Sequence, residues 1–158
     1  MHLLVRHSHE NKKNQEMDIT HKLQINATAR TIKDAVATQT GITGWWSKDC
    51  QVGESEGENS LLKFDKQGTI VEMGFKTISV TASQVIWECT TNANPAWIGT
   101  KIITDIASKD SGSEVVFSHA GFDDNWARQE PFEMTKQGWE HFVNSLVSYC
   151  ETGSGQPW

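Results

Sequence analysis

The sequence predicts an α+β domain in which a curved antiparallel sheet packs against a long C-terminal helix, with short helices near the N-terminus. Three observations lead to this fold class. Short strands follow one another through turn-rich connections, a helical segment separates the first strand from the others, and the last segment carries a helical stripe of apolar residues. Strands joined by short turns pair antiparallel, because a parallel pair requires a crossover of a dozen or more residues.

Residues 1–16 are predicted to form a disordered tail. They are polar and lack apolar periodicity, so they bury too little apolar surface to become ordered. The histidines in this segment are expected to form no specific metal site. The remaining length, residues 17–158, suits a single domain.

The first strand and two short helices are predicted next. Residues 18–26 alternate between apolar and polar positions, which is typical of a half-buried strand. Thr28 is a favourable N-cap for a helix that is predicted to run up to Gly41, the residue expected to stop it. A second short helical turn is expected to hold Trp45 and Trp46.

The middle of the chain is predicted to form a meander of antiparallel strands. Residues 51–59 are rich in Gly, Glu and Ser and indicate a loop or a short edge strand. A change in apolar parity between Phe75 and Ile78 indicates a β-bulge within one long strand. The predicted strands span residues 60–65, 69–80, 84–90, 97–106 and 114–120.

The last segment has the clearest pattern. Pro131 favours a helix start and Gly153 a helix end, so a helix is predicted over about residues 131–151. Such a helix is about 30 Å long, and its single apolar stripe must pack against the curved sheet. The stripe consists of Trp139, Phe142, Val143, Leu146, Val147 and Cys150.

Charge and composition exclude several functions. The chain has 14 basic and 20 acidic residues, a formal charge of -6 and no basic stripe, so we expect no nucleic-acid partner. No apolar run approaches the roughly 20 residues of a membrane-spanning helix, and no signal-peptide core is found, so a cytoplasmic location is expected. Cys50, Cys89 and Cys150 lack a CxxC pattern and are predicted to be reduced thiols. No nucleotide or metal motif is found, so no cofactor and no metal are expected.

The tryptophan content is the most unusual feature of the composition. Seven tryptophans occur in 158 residues. Each indole offers a large apolar surface and one N–H group that needs a partner when buried. Because these residues come from a helical turn, from several strands and from the terminal helix, they indicate a space lined by aromatic rings. The alternative is a solid aromatic core.

Several dispersed motifs occur in an order that resembles one known family. They are Gly44-Trp45-Trp46, Val85-Ile86-Trp87-Glu88-Cys89, Trp97-Ile98-Gly99-Thr100, the segment 115–121, the segment 139–146 and the ending 151–157. Over about residues 17–158 the chain resembles the START-like (SRPBCC) superfamily, and within it the activator of Hsp90 ATPase homologue 1-like (AHSA1-like) branch. The resemblance implies a helix-grip fold with a hydrophobic pocket between sheet and helix. Superfamily members bind lipids, sterols, hormones or polyketides, and a few catalyse cyclisation.

The favoured functional hypothesis is a small-molecule binding protein with a hydrophobic cavity between the sheet and the C-terminal helix. Such pockets are mostly apolar and contain few polar groups. The expected ligand is lipid-like or aromatic. The candidate binding residues are Trp46, Phe75, Trp87, Trp97, Phe117, His119, Trp139 and Phe142.

His119 is the only weak candidate for catalysis. Strand parity places it on the same face as Val115 and Phe117, where an imidazole could be a ligand anchor, a general acid–base group or a satisfied core residue. One alternative function is therefore a cofactor-free enzyme of the polyketide cyclase or hydratase type. Another is a chaperone-related or stress-related interaction module or a homodimer, to which an exposed Trp158 would contribute.

Overall fold

The computed structural model describes residues 18–158, so the predicted tail lies outside the described residues. Within them, one antiparallel sheet of seven strands packs against the long C-terminal helix, which confirms the predicted α+β helix-grip fold. The helices are α1 (Ala29–Ala37), α2 (Gln39–Trp45) and α3 (Glu130–Thr152). The strands are β1 (Ile19–Ile25), β2 (Asp49–Gln51), β3 (Asn59–Lys66), β4 (Thr69–Val80), β5 (Gln84–Thr91), β6 (Lys101–Lys109) and β7 (Gly112–Ala120).

The strand order across the sheet is β1-β7-β6-β5-β4-β3-β2. Strands β2 to β7 follow the chain as a meander, and β1 joins it at the far edge by pairing antiparallel with β7. In this pairing Ile19 lies opposite His119 and Ile25 lies opposite Ser113. The first strand therefore extends the sheet beside the strand that carries His119.

Helix α3 packs against the sheet through the predicted apolar stripe. Trp139, Val143, Leu146 and Cys150 are buried, and Phe142 and Val147 are half-buried. The helix ends where Gly153 adopts a φ of 86° and donates its N–H to the Tyr149 carbonyl at 2.8 Å. A left-handed residue at this position favours glycine, which explains why the helix stops there.

The first helix is shorter than the sequence indicates, and Gly41 does not stop it. Thr38 is extended and caps α2, accepting the Gly41 N–H at 3.0 Å through its side chain. Gly41 lies inside α2, where an added Cβ would come within 2.6 Å of the Ala35 Cα. The glycine is therefore required because two helices approach closely, and not because a helix ends there.

Residues 97–100 are predicted as the start of a strand but lie before β6 in the structure. Pro95 begins a 3-10 turn that contains Trp97, and Gly99 follows with a φ of 87°. Both features prevent regular pairing until Lys101. The predicted bulge in β4 is confirmed, because the register with β5 shifts between Thr77 and Ser79. No helix among residues 18–158 is both long enough and apolar enough to cross a membrane.

Candidate functional site

The centre of the space between sheet and helix is filled by aromatic rings. Trp46 follows α2 directly and is only 3% exposed. Its ring centroid lies 5.3 Å from that of Phe75, 6.2 Å from that of Trp87 and 5.2 Å from that of Trp139. The void that remains beside these rings measures about 10 Å³, roughly the space of one water molecule. The deep interior is therefore a packed core.

Trp87 lines this small void together with Trp46. Its indole N–H is buried and has no hydrogen-bond partner among residues 18–158. The neighbouring Trp45 differs, because its indole N–H donates to the Ala35 carbonyl at 2.7 Å. Burying an unpaired donor costs free energy, so Trp87 is held in place by packing rather than by a polar contact.

A larger pocket lies on the other side of Trp46, toward solvent. Its volume is about 350 Å³, and it is bordered by the N-terminal half of α3, by β3 and by the 3-10 turn that follows β5. Phe64 and Met73 contribute further apolar surface from the sheet, and Met134 contributes it from the helix. The aromatic walls are Trp46, Phe64, Trp97, Trp139, Phe142 and Trp158.

Four of the eight candidate residues from the sequence line this pocket, and four do not. Those on the pocket wall are Trp46, Trp97, Trp139 and Phe142. The other four lie in the packed core behind them, each at most 3% exposed: Phe75, Trp87, Phe117 and His119. Alternation along a strand distinguishes inward from outward residues, but it does not distinguish a pocket wall from a filled core.

His119 is buried, and both of its ring nitrogens have partners. The Trp139 indole N–H donates to Nδ1 at 2.9 Å, so the neutral ring carries its proton on Nε2. That N–H then donates to Thr100 Oγ1 at 2.7 Å, and the Thr100 hydroxyl donates to the Trp97 carbonyl. Burial lowers the pKa of His119 from 6.5 to about 3, because a charged imidazole would lose its hydration.

These contacts make His119 a positioning residue for the pocket wall. Through Trp139 it holds a ring of α3, and through Thr100 it holds the turn that carries Trp97. The two indoles stack with their centroids 6.3 Å apart and an interplanar angle of 15°. His119 is absent from the pocket lining, and it has no free ring nitrogen to offer a ligand.

The outer rim of the pocket contains residues to which the sequence analysis assigned no ligand-binding role. Trp158 donates its backbone N–H to the Trp46 carbonyl at 3.0 Å and remains 47% exposed. The Lys66 ammonium lies 5.4 Å from the centroid of the Trp158 ring. Phe64 has the inward parity of β3 and could have been found by alternation. Lys66 shares this parity, but its contact with Trp158 had no local signal, because it forms only when the hairpin and the C-terminal segment come together.

A second, more open depression of about 990 Å³ lies on the far side of Trp158. Its lining contains charged residues of both signs, such as Lys63 and Asp65. Among residues 18–158, no three His, Cys, Asp or Glu side chains are grouped so that they could hold a metal ion. Compared with this depression, the aromatic pocket has far more aromatic residues and fewer charged residues in its lining.

Comparison with known proteins gives matches only among solved structures. No family model and no curated protein matches the chain. The Aha1 dimer from Colwellia psychrerythraea superposes with a TM-score of 0.70 and 25% identity, covering 87% of this chain and 98% of that one. A structural-genomics protein from Staphylococcus saprophyticus gives a TM-score of 0.67 and 17% identity, covering 88% of this chain and 95% of that one.

DynU16, a protein of the dynemicin biosynthetic locus, also shares the fold. Its TM-score is 0.68 at 13% identity, and the match covers 87% of this chain and 48% of that one. At this level of identity, it and the staphylococcal protein support the fold alone. The match to Aha1 covers almost the whole Aha1 chain and agrees with the motifs in the sequence. The chain therefore has the helix-grip fold of the Aha1 protein, and this likeness supports the resemblance to the START-like, AHSA1-like family that its motifs indicate.

Proposed function

We propose that this protein binds a hydrophobic small molecule, lipid-like or aromatic, in the pocket beside Trp46. The observation that carries the proposal is an open space of about 350 Å³ walled by six aromatic rings. Pockets for small ligands have volumes of about 300–1,000 Å³ and are mostly apolar, with few polar groups. A large apolar surface left open to water is costly unless something covers it.

The geometry favours binding over catalysis by His119. A general acid or base must reach the substrate within hydrogen-bonding distance. His119 lies behind Trp139, and its two nitrogens already bond Trp139 and Thr100. Its low pKa keeps the ring neutral at pH 7. A cyclase-type reaction through this residue has no support in the arrangement.

Gly138 offers a direct test of the pocket. It lies on the pocket lining, and a Cβ added there would have no heavy atom within 4 Å. We expect the neutral fluorophore N-phenyl-1-naphthylamine to bind the wild-type protein saturably, with one site per chain. Gly138→Leu should weaken this binding because the new side chain occupies the pocket, whereas Gly138→Ala should leave it nearly unchanged.

Fluorescence titration gives the affinities, and urea unfolding shows that both variants are folded. Non-saturable binding to the wild-type protein, or equal affinities in a folded Gly138→Leu variant, would show that the pocket is not the binding site. Gly138→Ala should also raise helix stability, by roughly 0.5–1 kcal/mol, because alanine favours helix more than glycine. The matched pair therefore separates filling the pocket from changing the helix.

Self-association across the pocket mouth is a second candidate. Met134 is 64% exposed, Trp158 is 47% exposed, and both border the pocket. The Colwellia neighbour is described as a dimer. Sedimentation velocity of the wild-type protein and of Met134→Glu tests this role, because a charge at the mouth should dissociate a dimer formed there.

A cytoplasmic location remains a prediction from the sequence.

A further inference from the structure

The charges on the pocket wall are strongly biased. Among the described residues, only two ionisable side chains line the pocket, Lys66 and His141, and neither is acidic. The chain as a whole has 20 acidic and 14 basic residues. Like charges repel at short distance, so the positive charge of Lys66 disfavours a cationic ligand. No carboxylate on the pocket wall would repel an anionic ligand.

Lys66 is the group placed to meet an anion. It ends β3, immediately before a tight turn in which Gln67 has a φ of 56° and Gly68 a φ of 91°. Its ammonium forms no salt bridge with any residue from 18 to 158 and lies over the Trp158 ring at 5.4 Å. A cation held against an aromatic face is attracted to the ring but keeps its charge available to a further partner.

The nearest carboxylate in sequence is engaged elsewhere. Asp65 Oδ1 accepts the Gly68 backbone N–H at 2.8 Å, so this carboxylate stabilises the hairpin turn. Asp65 lines only the neighbouring open depression, whereas Lys66 lines both that depression and the aromatic pocket. Among residues 18–158, Lys66 and Asp65 form no salt bridge with each other. On the side of the aromatic pocket, the Lys66 charge is therefore not neutralised by its neighbour.

We infer that the ligand of this pocket is an anionic amphiphile, a carboxylic acid whose apolar body lies between the aromatic walls and whose carboxylate pairs with Lys66. The inference rests on the proposed function and specifies its ligand class. The apolar body contacts Trp97, Trp139 and Phe142 within the pocket. The carboxylate stays at the mouth, where water still reaches it, so no charge has to be buried without a partner. Lys66 sets the orientation of the ligand, and the rings supply most of the affinity.

Three probes with the same seven-carbon apolar chain test the inference: octanoate, 1-heptanol and heptylammonium. They differ only in the head group and its charge. Isothermal titration of the full chain at low salt should show octanoate binding about two- to fivefold more tightly than 1-heptanol, the size of an exposed ion pair. Heptylammonium should bind most weakly. Added salt should reduce the preference for octanoate, because it screens an exposed pair.

Substitutions then assign the preference to one residue. Lys66→Met removes the charge and keeps an apolar stem, so octanoate and 1-heptanol should bind equally. Lys66→Arg keeps the charge and should retain the preference. Lys22→Met is the matched control, because Lys22 is an exposed strand lysine on β1 at the opposite edge of the sheet.

Each outcome decides between the hypotheses. Equal binding of octanoate and 1-heptanol to the wild-type protein would overturn the inference and leave the apolar pocket standing. An equal loss of preference in Lys66→Met and Lys22→Met would also overturn it, because net charge rather than position would then be responsible. No binding of any probe would overturn the proposed function itself. A dimer that prevents octanoate binding and that Met134→Glu dissociates would overturn the inference by identifying a second copy as the occupant.

Discussion

The indole N–H of Trp139 on α3 donates a 2.9 Å hydrogen bond to Nδ1 of His119 on β7. Both residues are at most 3% exposed, and the second nitrogen of His119 bonds Thr100, immediately before β6. One imidazole thus joins the long helix, strand β7 next to the edge of the sheet and the turn that carries Trp97. The inner wall of the pocket depends on these hydrogen bonds.

Replacement of His119 tests the contribution of these hydrogen bonds to stability. In His119→Phe the buried Trp139 N–H loses its acceptor and Thr100 Oγ1 loses the N–H that donates to it, so the free energy of unfolding should fall by about 1–3 kcal/mol. Urea unfolding measures the change. His141→Phe is the control, because His141 is exposed, and it should alter stability by less than about 0.5 kcal/mol. Equal effects of the two substitutions would show that the buried network contributes nothing specific.

The same residue predicts a pH dependence of stability. The pKa of His119 is about 3 in the folded protein, below the ordinary histidine value of 6.5 that applies to the unfolded chain. Between these values the unfolded chain binds a proton that the folded chain does not, so the stability present above pH 6.5 is lost as the pH falls toward 3. From pH 7 to pH 4 this loss should be on the order of 2–3 kcal/mol.

The His119→Phe variant isolates this contribution from other titrating groups. Urea midpoints of the wild-type and variant proteins should be compared at several pH values between 4 and 7. The stability difference between the two should narrow as the pH falls, because only the wild-type protein loses the histidine contribution. A constant difference across this range would mean that His119 does not stay neutral in the folded protein.

Periodic patterns predicted the fold well. The apolar stripe on α3 is confirmed, because Trp139 and Leu146 are both buried. A helix that packs on a sheet must bury one face, and helical spacing places these two residues on the same face. The inward orientation of His119 follows in the same way from alternation on β7. The role predicted for Gly41 was wrong, because a glycine in sequence does not reveal whether it ends a helix or permits a close approach.

The pocket was harder to predict because it depends on how rings fill space. Trp46, Phe75 and Trp87 are all inward-facing aromatics, yet Trp46 fills the gap over the other two and shifts the open volume toward the mouth. Lys66 and Trp158 are 92 positions apart and meet only in the folded chain. Neither a strand pattern nor a helix pattern contains that contact.

The final prediction concerns the helix that closes the core. Leu146 on α3 is 0% exposed, so Leu146→Ala should lower the free energy of unfolding by about 2–5 kcal/mol through lost burial and the cavity left behind. Met134→Ala on the same helix is the control, because Met134 is 64% exposed and should change stability by less than about 0.5 kcal/mol. Urea unfolding measures both. A near-neutral Leu146→Ala would mean that the apolar stripe does not grip the sheet, and the pocket between helix and sheet would then lose its structural basis.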